Sequence, residues 1–356
     1  MRVIQLLTTV SFGDAVSNDT IALRGAIEGM GYKTAIYAEN IDSRLPKNTA
    51  EPVSCLKNVS SDDIIIYHKS TGTDLSFKLE QYKCRKLMIY HNVTPPEFFR
   101  PYNIQAAALT EYGLEGARYL RDKIDYCLAV SSFNMSNLRD MGYTCPIDIR
   151  PILIPFEDYK KTPDEEIIRR YTSDGWTNIV FVGRIAPNKR HENLIRAFYE
   201  YKKINPKSRL ILVGSYSGME NYYERLVKYT KALGLEDVIF TGHIKFNQIL
   251  AWYRAADVFL CMSEHEGFCV PLVEAMFFDV PIVAYDSSAI ADTLGGSGIL
   301  IKDNDPLFTA MVIDRLVNDS KLRESVLVKQ RNRLEDFQYE KIRAMFEGYL
   351  TKFIGK

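Results

Sequence analysis

The 356-residue chain has no net charge, no long apolar segment and no secretion signal. Lys plus Arg equals Asp plus Glu at 45 each, so no overall field attracts nucleic acid or an acidic membrane. No run of about 20 apolar residues occurs, and no charged-then-apolar leader follows Met1, so neither membrane spanning nor secretion is indicated. We therefore expect a cytoplasmic protein that binds no nucleic acid.

Metal and dinucleotide motifs are also missing. The six cysteines show no paired metal-ligand spacing, and several lie in apolar runs, which favours reduced, buried thiols. The loop after the first apolar run, residues 11–18, lacks both Gly-x-Gly-x-x-Gly and the P-loop pattern. This argues against an NAD fingerprint and against a P-loop ATPase. Gly13 and Asp14 in this loop remain candidates for contacts with an acceptor or a phosphate.

Apolar runs alternate with amphipathic helical patterns along the whole chain, which predicts parallel sheets covered by helices. The predicted strands are 2–10, 33–38, 63–68, 86–91 and 125–130 in the first half, and 178–182, 209–213, 237–241, 257–262 and 281–285 in the second. The length suits two domains. We therefore predict an α/β protein with two facing, doubly wound, Rossmann-like domains and a central cleft. The domains are placed at 1–155 and 172–338, with a final helix within 339–356 that packs back across one of them.

The segment Ser263–Met276 contains two glutamates eight residues apart, Glu266 and Glu274, around a turn and a helix that Pro271 opens. Free N–H groups and the positive end of the helix dipole favour an anion at such a point. An ionised Glu274 can accept hydrogen bonds from two vicinal hydroxyls of a ribose, and Glu266 from a second sugar. Solvated surface charge is the alternative for both glutamates, but it does not explain the glycine, the proline and the apolar flanks together.

Two cations follow the first strand of the second domain, Arg184 and Lys189. A guanidinium fork and a mobile ammonium can together neutralise a diphosphate, although two exposed basic residues in a surface loop are the alternative. Gly214 and Gly242 end neighbouring strands, where glycine relieves crowding at a turn.

Two histidines, His68 and His91, end apolar strands of the first domain. Either could contact a reacting sugar or brace a loop. A two-histidine metal site is disfavoured because no carboxylate or cysteine stands at a recognisable ligand spacing.

The combination Gly183-Arg184…Lys189, Gly242 and Glu266-x7-Glu274-Ala-Met resembles the retaining glycosyltransferases of the GT-B fold, family 4 (glycosyl transferases group 1). The resemblance implies that the first domain binds the acceptor and the second the nucleotide sugar, without a metal or other cofactor. It implies that Arg184 and Lys189 bind the donor diphosphate and Glu274 the ribose. The donor sugar would contact His91 of the first domain and the residues Glu266, Gly267, Phe268, Cys269 and Val270.

The chain departs from that family pattern at three places. Phe12-Gly13-Asp14 stands where many relatives have a Gly-Gly pair. Arg190 and His191 follow the lysine, where glycine is frequent, and Cys269 replaces the second glycine of a Gly-Phe-Gly turn.

The function expected from these residues is transfer of a hexosyl group from a UDP- or GDP-sugar to a hydroxyl of a saccharide or glycolipid, with retention of configuration, in bacterial polysaccharide or glycolipid synthesis. His91, Glu266, Arg184 and Lys189 are the residues expected to take part in catalysis. Two alternatives stay open, a nucleotide-sugar epimerase of the same architecture and a non-catalytic sugar-nucleotide-binding protein. Phe98, Phe99 and Arg100 hint at peripheral contact with the inner face of the membrane.

Overall fold

The computed structural model describes residues 1–355 and divides them into two compact units. Unit 1 comprises Met1–Pro96, Gln105–Pro155 and residues 336–355, and unit 2 comprises Glu97–Ile104 and Phe156–Glu335. These bounds differ from the predicted domains at three places. Residues 97–104 and 156–171 lie with unit 2, and residues 336–338 lie with unit 1.

Unit 1 is built on a seven-stranded parallel sheet in the order β3-β2-β1-β4-β5-β6-β7. The chain runs outward from β1 in one direction and then from β4 in the other, which is the doubly wound topology. The strands are β1 (Arg2–Val10), β2 (Lys33–Ile41), β3 (Glu51–Pro52), β4 (Ile64–Lys69), β5 (Arg85–Tyr90), β6 (Tyr126–Ala129) and β7 (Ile147–Ile149).

The helices of unit 1 flank these strands, and they include the last helix of the chain. Asp14 caps the first of them, because its carboxylate accepts from the N–H of Ser17 at 2.9 Å. The helices are α1 (Ala15–Gly29), α2 (Leu75–Lys78), α3 (Pro96–Phe99), which crosses the boundary between the units, α4 (Ile104–Leu120), α5 (Ser132–Asp140) and α15 (Tyr339–Ile354).

Unit 2 contains a second parallel sheet of six strands, in the order β10-β9-β8-β11-β12-β13. The direction of winding changes between β8 and β11. The strands are β8 (Thr177–Val182), β9 (Ser208–Val213), β10 (Val238–Gly242), β11 (Val258–Cys261), β12 (Ile282–Tyr285) and β13 (Ile299–Ile301).

Among the residues that the structure describes, nine helices, α6 to α14, belong to unit 2. They are α6 (Phe156–Tyr159), α7 (Glu165–Thr172), α8 (His191–Ile204), α9 (Glu220–Ala232), α10 (Phe246–Ala255), α11 (Val270–Phe277), α12 (Ile290–Leu294), α13 (Pro306–Asn318) and α14 (Ser320–Leu334). Single turns of 3-10 helix lie at Val53–Cys55, Leu79–Gln81, Pro187–Lys189 and Glu335–Phe337.

Both sheets are buried on their two faces, as parallel strands covered by helices require. Ile64, Ile65 and Ile66 of β4 are fully buried, and so are Leu210, Ile211 and Leu212 of β9. All ten predicted strands are present, so the prediction of two parallel α/β sheets is confirmed. The three strands without a prediction, β3, β7 and β13, have only two or three residues each.

The last helix, α15, belongs to unit 1. The guanidinium of Arg85 donates to the carbonyl oxygens of Phe353 at 2.6 Å and Ile354 at 3.0 Å, which satisfies acceptors at the end of the helix. Tyr349 donates to the carbonyl of Ile149 at 3.3 Å. Among the helices of residues 1–355, none combines the length and the apolar character that crossing a membrane requires.

Candidate functional site

The carboxyl ends of β8 and β11 meet at the point where the winding of the second sheet changes direction, which is where such sheets bind ligands. The loop after β8 holds Arg184 and Lys189, and the loop after β11 holds Glu266. Asn188 joins the two loops, since its side-chain amide donates to the carbonyl of His265 at 2.9 Å and its own carbonyl accepts from the N–H of Glu264 at 2.9 Å. The sheet therefore brings these predicted site residues together.

Lys189 and Glu266 form an ion pair between the two loops. The Lys189 side chain is 20% exposed and that of Glu266 only 8%. Burial acts to lower the pKa of Lys189, but the neighbouring Glu266 carboxylate outweighs it and the pKa lies above its ordinary value. The pair thus places an ammonium and a carboxyl group side by side at one edge of the sheet.

Helix α11 begins directly after this loop. Its N-cap residue, Cys269, has a left-handed backbone (φ 74°), and a proline occupies the first turn. This conformation turns the chain sharply from the loop into the helix and leaves the helix N-terminus at the same sheet edge as Lys189. Thr293 holds the turn by donating to the carbonyl of Phe268.

Glu274 lies one turn into α11, where two tyrosines donate to its carboxylate. Tyr159 donates to Oε1 at 2.8 Å and Tyr253 to Oε2 at 2.6 Å. Burial raises the pKa of Glu274, and the two phenolic hydrogen bonds oppose that rise. Sequence reasoning missed both tyrosines because neither stands in a motif, and Tyr159 comes from the segment that connects the predicted domains.

Arg184 is exposed, and its guanidinium donates to the carbonyl of Ser217 at 3.1 Å. Arg190, by contrast, has a left-handed backbone (φ 49°) and pairs with Glu264 at 2.6 Å. Its guanidinium also stands 5.4 Å from the ring centre of Phe98, whose ring lies 6.0 Å from that of His265. Phe98 is thus a packing residue inside unit 2, which weakens the hint of a membrane-facing patch.

His68 and His91 lie in unit 1 at the carboxyl ends of β4 and β5, where they were predicted, and both are buried. His91 follows β5, and its Nε2 is 3.1 Å from Nδ1 of His68 on β4. Burial lowers the pKa of His91 to about 4. No ligand spacing in the sequence relates a carboxylate to these histidines, but the fold brings an oxygen of Asp19 of α1 to 3.9 Å from His91 Nε2.

These three residues bring potential metal ligands within 4.8 Å of one another. The Asp19 carboxylate is already occupied, however, since its two oxygens accept from the guanidinium of Arg150 at 2.9 and 2.5 Å. Asp19 Oδ1 also accepts from the N–H of Leu153 at 2.8 Å. A cation placed there would compete with the Arg150 charge, so the cluster is better described as a buried ion pair with two histidines.

Gly13 and Asp14 lie in the loop after β1. Gly13 has a left-handed backbone (φ 75°). The carboxylate of Asp14 accepts from both the N–H and the hydroxyl of Ser17, at 2.9 and 2.8 Å. Asp14 therefore has a capping role in α1, and contacts of this loop with an acceptor or phosphate stay a prediction.

Comparison with known proteins identifies the second unit. The model of the family described as glycosyl transferases group 1 matches residues 164–333. The match covers just under half of the chain and lies within unit 2, so this part of the chain is similar to the glycosyl transferases group 1 family. The matched segment contains Arg184, Lys189, Glu266 and Glu274, whereas Gly13, Asp14 and His91 lie outside it.

Several curated proteins are similar to this chain over part of their length. The chain is 29% identical over 175 residues to the D-inositol 3-phosphate glycosyltransferase of Kineococcus radiotolerans, which covers 45% of the chain and 40% of the relative. It is 24% identical over 277 residues to the O-antigen chain mannosyltransferase B of Escherichia coli, which covers 71% of each. Among eight such relatives, the chain spans between 35% and 71% of the relative's length.

The whole chain resembles solved structures in fold. HepE of Anabaena, in complex with UDP and glucose, superposes with a TM-score of 0.78 at 18% identity, covering 99% of both chains. The two parallel sheets of the chain therefore form a GT-B fold.

Proposed function

We propose that the protein transfers a hexosyl group from a UDP- or GDP-sugar to an acceptor hydroxyl with retention of anomeric configuration. The observation that carries the proposal is the Lys189–Glu266 ion pair beside the N-terminus of α11, at the carboxyl ends of β8 and β11. Cation, helix N-terminus and carboxylate are the groups that a nucleotide-diphosphate sugar requires, and here they converge on one edge of a sheet. The similarity of residues 164–333 to the glycosyl transferases group 1 family supports the same reaction class.

Each group then has a distinct task. Lys189, Arg184 and the N-terminus of α11 bind the diphosphate and stabilise the charge that develops on it as it departs. Glu266 accepts hydrogen bonds from the donor sugar. Glu274 accepts from the ribose hydroxyls, with its carboxylate oriented by Tyr159 and Tyr253. The backbone of Gly267, Phe268, Cys269 and Val270 lines the same turn.

The transfer step needs no nucleophile from the protein. The acceptor oxygen attacks the anomeric carbon from the side on which the diphosphate leaves, the bond from that carbon to the phosphate oxygen breaks, and the hydroxyl proton passes to the departing oxygen. His91, from unit 1, contacts the transferred sugar. Glu266 as a covalent nucleophile is the alternative route, and the proposed contacts with sugar hydroxyls leave its carboxylate engaged.

The acceptor is proposed to be a saccharide or glycolipid in bacterial polysaccharide or glycolipid synthesis. The relatives named above act on an inositol phosphate and on an O-antigen chain by their names, which supports a polyhydroxylated acceptor. A lipid-linked acceptor would place the protein in peripheral contact with the inner face of the membrane.

The first test is thermal stabilisation by UDP-, GDP- and ADP-sugars, measured on the native protein and on Glu274→Ala. We expect a rise in Tm with one nucleotide family, and its loss in the variant. A Tm that does not respond to any of the three would contradict the proposal.

A second test separates transfer from its two rivals. Release of the nucleoside diphosphate should require an acceptor, and NMR of the product should show the donor's anomeric configuration. An epimerase would convert the donor sugar without an acceptor. A non-catalytic binding protein would release no nucleoside diphosphate at all.

A further inference from the structure

Five buried polar side chains form a cluster in unit 1, and the proposed reaction uses only one of them. Gln5, Asp19, His68 and Arg150 are fully buried, and the fifth, His91, has a side chain that is 1% exposed. Buried polar groups are costly unless each one has a partner, so the hydrogen bonds of this cluster are determined by which atoms can donate.

The amide of Gln5 fixes the first hydrogen bond. Its Nε2 donates to the backbone carbonyl of Thr20 at 3.1 Å, and a carbonyl can only accept. The amide oxygen of Gln5 therefore faces His68, 3.0 Å from Nε2 of the ring. Because an amide oxygen cannot donate, His68 carries its proton on Nε2.

The protonated nitrogen of His68 determines which nitrogen of His91 carries the proton. Burial, with a further contribution from His91, lowers the pKa of His68 well below its ordinary value, so the ring is neutral and its Nδ1 holds a lone pair. Nδ1 of His68 is 3.1 Å from Nε2 of His91, which must then be the donor. The Thr20 hydroxyl is 3.3 Å from His68 Nδ1 but donates to the carbonyl of Val16 at 2.8 Å, so it does not alter this assignment.

His91 is the last ring in this series of hydrogen bonds from Gln5 through His68, and its Nδ1 is an acceptor without a donor among the described residues. With its proton on Nε2, the neutral ring has a lone pair on Nδ1. That atom is buried and has no hydrogen-bond partner within residues 1–355. A buried acceptor left unpaired destabilises the fold, and a ligand hydroxyl that donates to it would recover this cost.

Asp19 and Arg150 keep the ring neutral. An unbalanced Asp19, 3.9 Å from His91 Nε2, would favour the imidazolium, and both ring nitrogens would then donate. The Arg150 guanidinium neutralises that carboxylate through two hydrogen bonds. The loop carboxylate of Asp14 acts on His91 in the same direction as Asp19, but more weakly.

We propose that Gln5 and His68 are positioning residues that hold His91 in the Nε2–H tautomer, so that Nδ1 accepts a hydrogen bond from a hydroxyl of the bound sugar. The inference rests on the proposed function for the identity of the ligand, since it is the transferred sugar that His91 is proposed to contact. The tautomer itself follows from unit 1 alone.

The tautomer can be read directly from nitrogen-15 NMR of the full chain near neutral pH. We expect His91 to show a protonated Nε2 and an unprotonated Nδ1. Saturating UDP-glucose or GDP-mannose should shift the Nδ1 signal, whereas UDP or GDP alone should not. A His91 ring protonated at Nδ1, or at both nitrogens, would overturn the proposal, and so would a bound donor that leaves Nδ1 unchanged.

Variants of His68 test the positioning role. His68→Leu removes the acceptor for His91 Nε2–H, and we expect a mixture of tautomers and a fall in kcat of about 10- to 100-fold. The Kd of the nucleoside diphosphate should not change, because its proposed site lies in unit 2. His68→Gln supplies an amide oxygen and an amide N–H, so it should restore the tautomer and much of kcat.

Thr20→Val is the matched control. It removes a hydroxyl from the same buried site, but this hydroxyl takes no part in the hydrogen bonds that run from Gln5 through His68 to His91. We expect it to leave the His91 tautomer unchanged.

Should His68→Leu fail to fold, the native spectrum and His68→Gln still decide the question. If His68→Leu retains both tautomer and kcat, the positioning role is wrong. A protein with the expected tautomer that binds no sugar nucleotide would retain the tautomer assignment and refute the proposed function instead.

Discussion

Lys189 and Arg184 share a loop, but their removal should have different costs. Lys189 pairs with a carboxylate that is 8% exposed, so Lys189→Ala leaves that charge buried and uncompensated. We expect Lys189→Ala to lower the free energy of unfolding by about 3 kcal/mol and to abolish transfer. Arg184 is exposed and contacts only a carbonyl, so Arg184→Ala should lower kcat with little change in stability.

Urea unfolding and donor turnover, measured on both variants, check this difference. Lys189→Ala combined with Glu266→Gln is the control, because it removes both charges and should recover most of the lost stability without recovering transfer. Equal stability of Lys189→Ala and the native protein would show that the ion pair is not a buried one.

Tyr253 should control the affinity for the nucleotide through the Glu274 carboxylate. The tyrosine hydroxyl donates to Glu274 at 2.6 Å and opposes the rise in pKa that burial causes. Tyr253→Phe should therefore raise the pKa of Glu274 further. Since the proposed ribose contact needs the ionised carboxylate, binding should be present above this pKa and lost as the pH falls through it. In the variant, the loss should begin at a higher pH.

Calorimetric Kd values for UDP and GDP, measured as the pH is lowered from neutral, test the effect of Tyr253→Phe on binding. We expect about tenfold weaker binding for Tyr253→Phe near neutral pH, the value of one hydrogen bond to a charged group. Tyr201→Phe is the control, since Tyr201 is another buried tyrosine of unit 2 and its hydroxyl accepts from the neutral side chain of Asn205. An unchanged pH profile in Tyr253→Phe would contradict the role given to this hydroxyl.

At the scale of secondary-structure elements, the ends of β8 and β9 approach each other so closely that only glycine fits. A Cβ on Gly214 would stand 2.0 Å from the carbonyl oxygen of Gly183. Both glycines have positive φ, 155° and 154° respectively. Gly214→Ala must therefore separate the two strand ends and displace the loop that begins with Arg184.

We expect Gly214→Ala to lower the free energy of unfolding by about 3 kcal/mol and to weaken nucleotide binding. Chemical denaturation and the Tm shift with the preferred nucleotide would measure the two effects. Gly25→Ala serves as the control, because a Cβ there meets nothing within 4 Å and lies in helix α1. The prediction fails if Gly214→Ala unfolds at the same urea concentration as Gly25→Ala.

The central strands could be predicted from sequence because each is a continuous apolar run bounded by polar turns, as at Ile64–Lys69. The short strands Glu51–Pro52 and Ile299–Ile301 could not, since two or three residues carry no periodicity. The loop after β1 was considered for ligand contacts, whereas the structure uses its residue Asp14 as the N-cap of α1.

The same limit applies to the candidate site. Glu266, Glu274 and Lys189 stand in local motifs that follow predicted parallel strands, and ligands of such sheets bind at the carboxyl ends of the strands. Tyr159 reaches Glu274 from 115 residues away, and Arg150 reaches Asp19 from 131 residues away. Such pairs depend on how strands and helices pack, which no local pattern encodes.

At the scale of the whole molecule, neither unit is a continuous piece of chain. Described residues pass from one unit to the other after Pro96, Ile104, Pro155 and Glu335. Unit 1 therefore needs the final helix, in which Ile342, Phe346 and Leu350 are fully buried. A cut at residue 335 would retain the segment that matches the family and still remove part of the core of unit 1.

Both units contain histidines that are buried in the neutral form, which should make the whole protein sensitive to acid. The ordinary pKa is 6.5, and burial lowers it to about 4 for His91 and His265 and about 3 for His191. Between these values the unfolded chain binds protons that the folded chain does not. Stability is therefore intact above about pH 6.5 and falls as the pH drops towards 4.

Each such histidine should contribute about 2 kcal/mol to the loss of stability between pH 7 and pH 5. Burial raises the pKa values of Glu274 and Asp257, so these groups bind protons more readily in the folded state and stabilise the protein as the pH falls. The buried histidines outnumber these two carboxyl groups, so the urea midpoint should decrease between pH 7 and pH 5. His191→Gln should reduce the decrease by about 2 kcal/mol, whereas His243→Gln, at an exposed position, should not change it. A urea midpoint that is the same at pH 5 and pH 7 would show that these rings are not held neutral by burial.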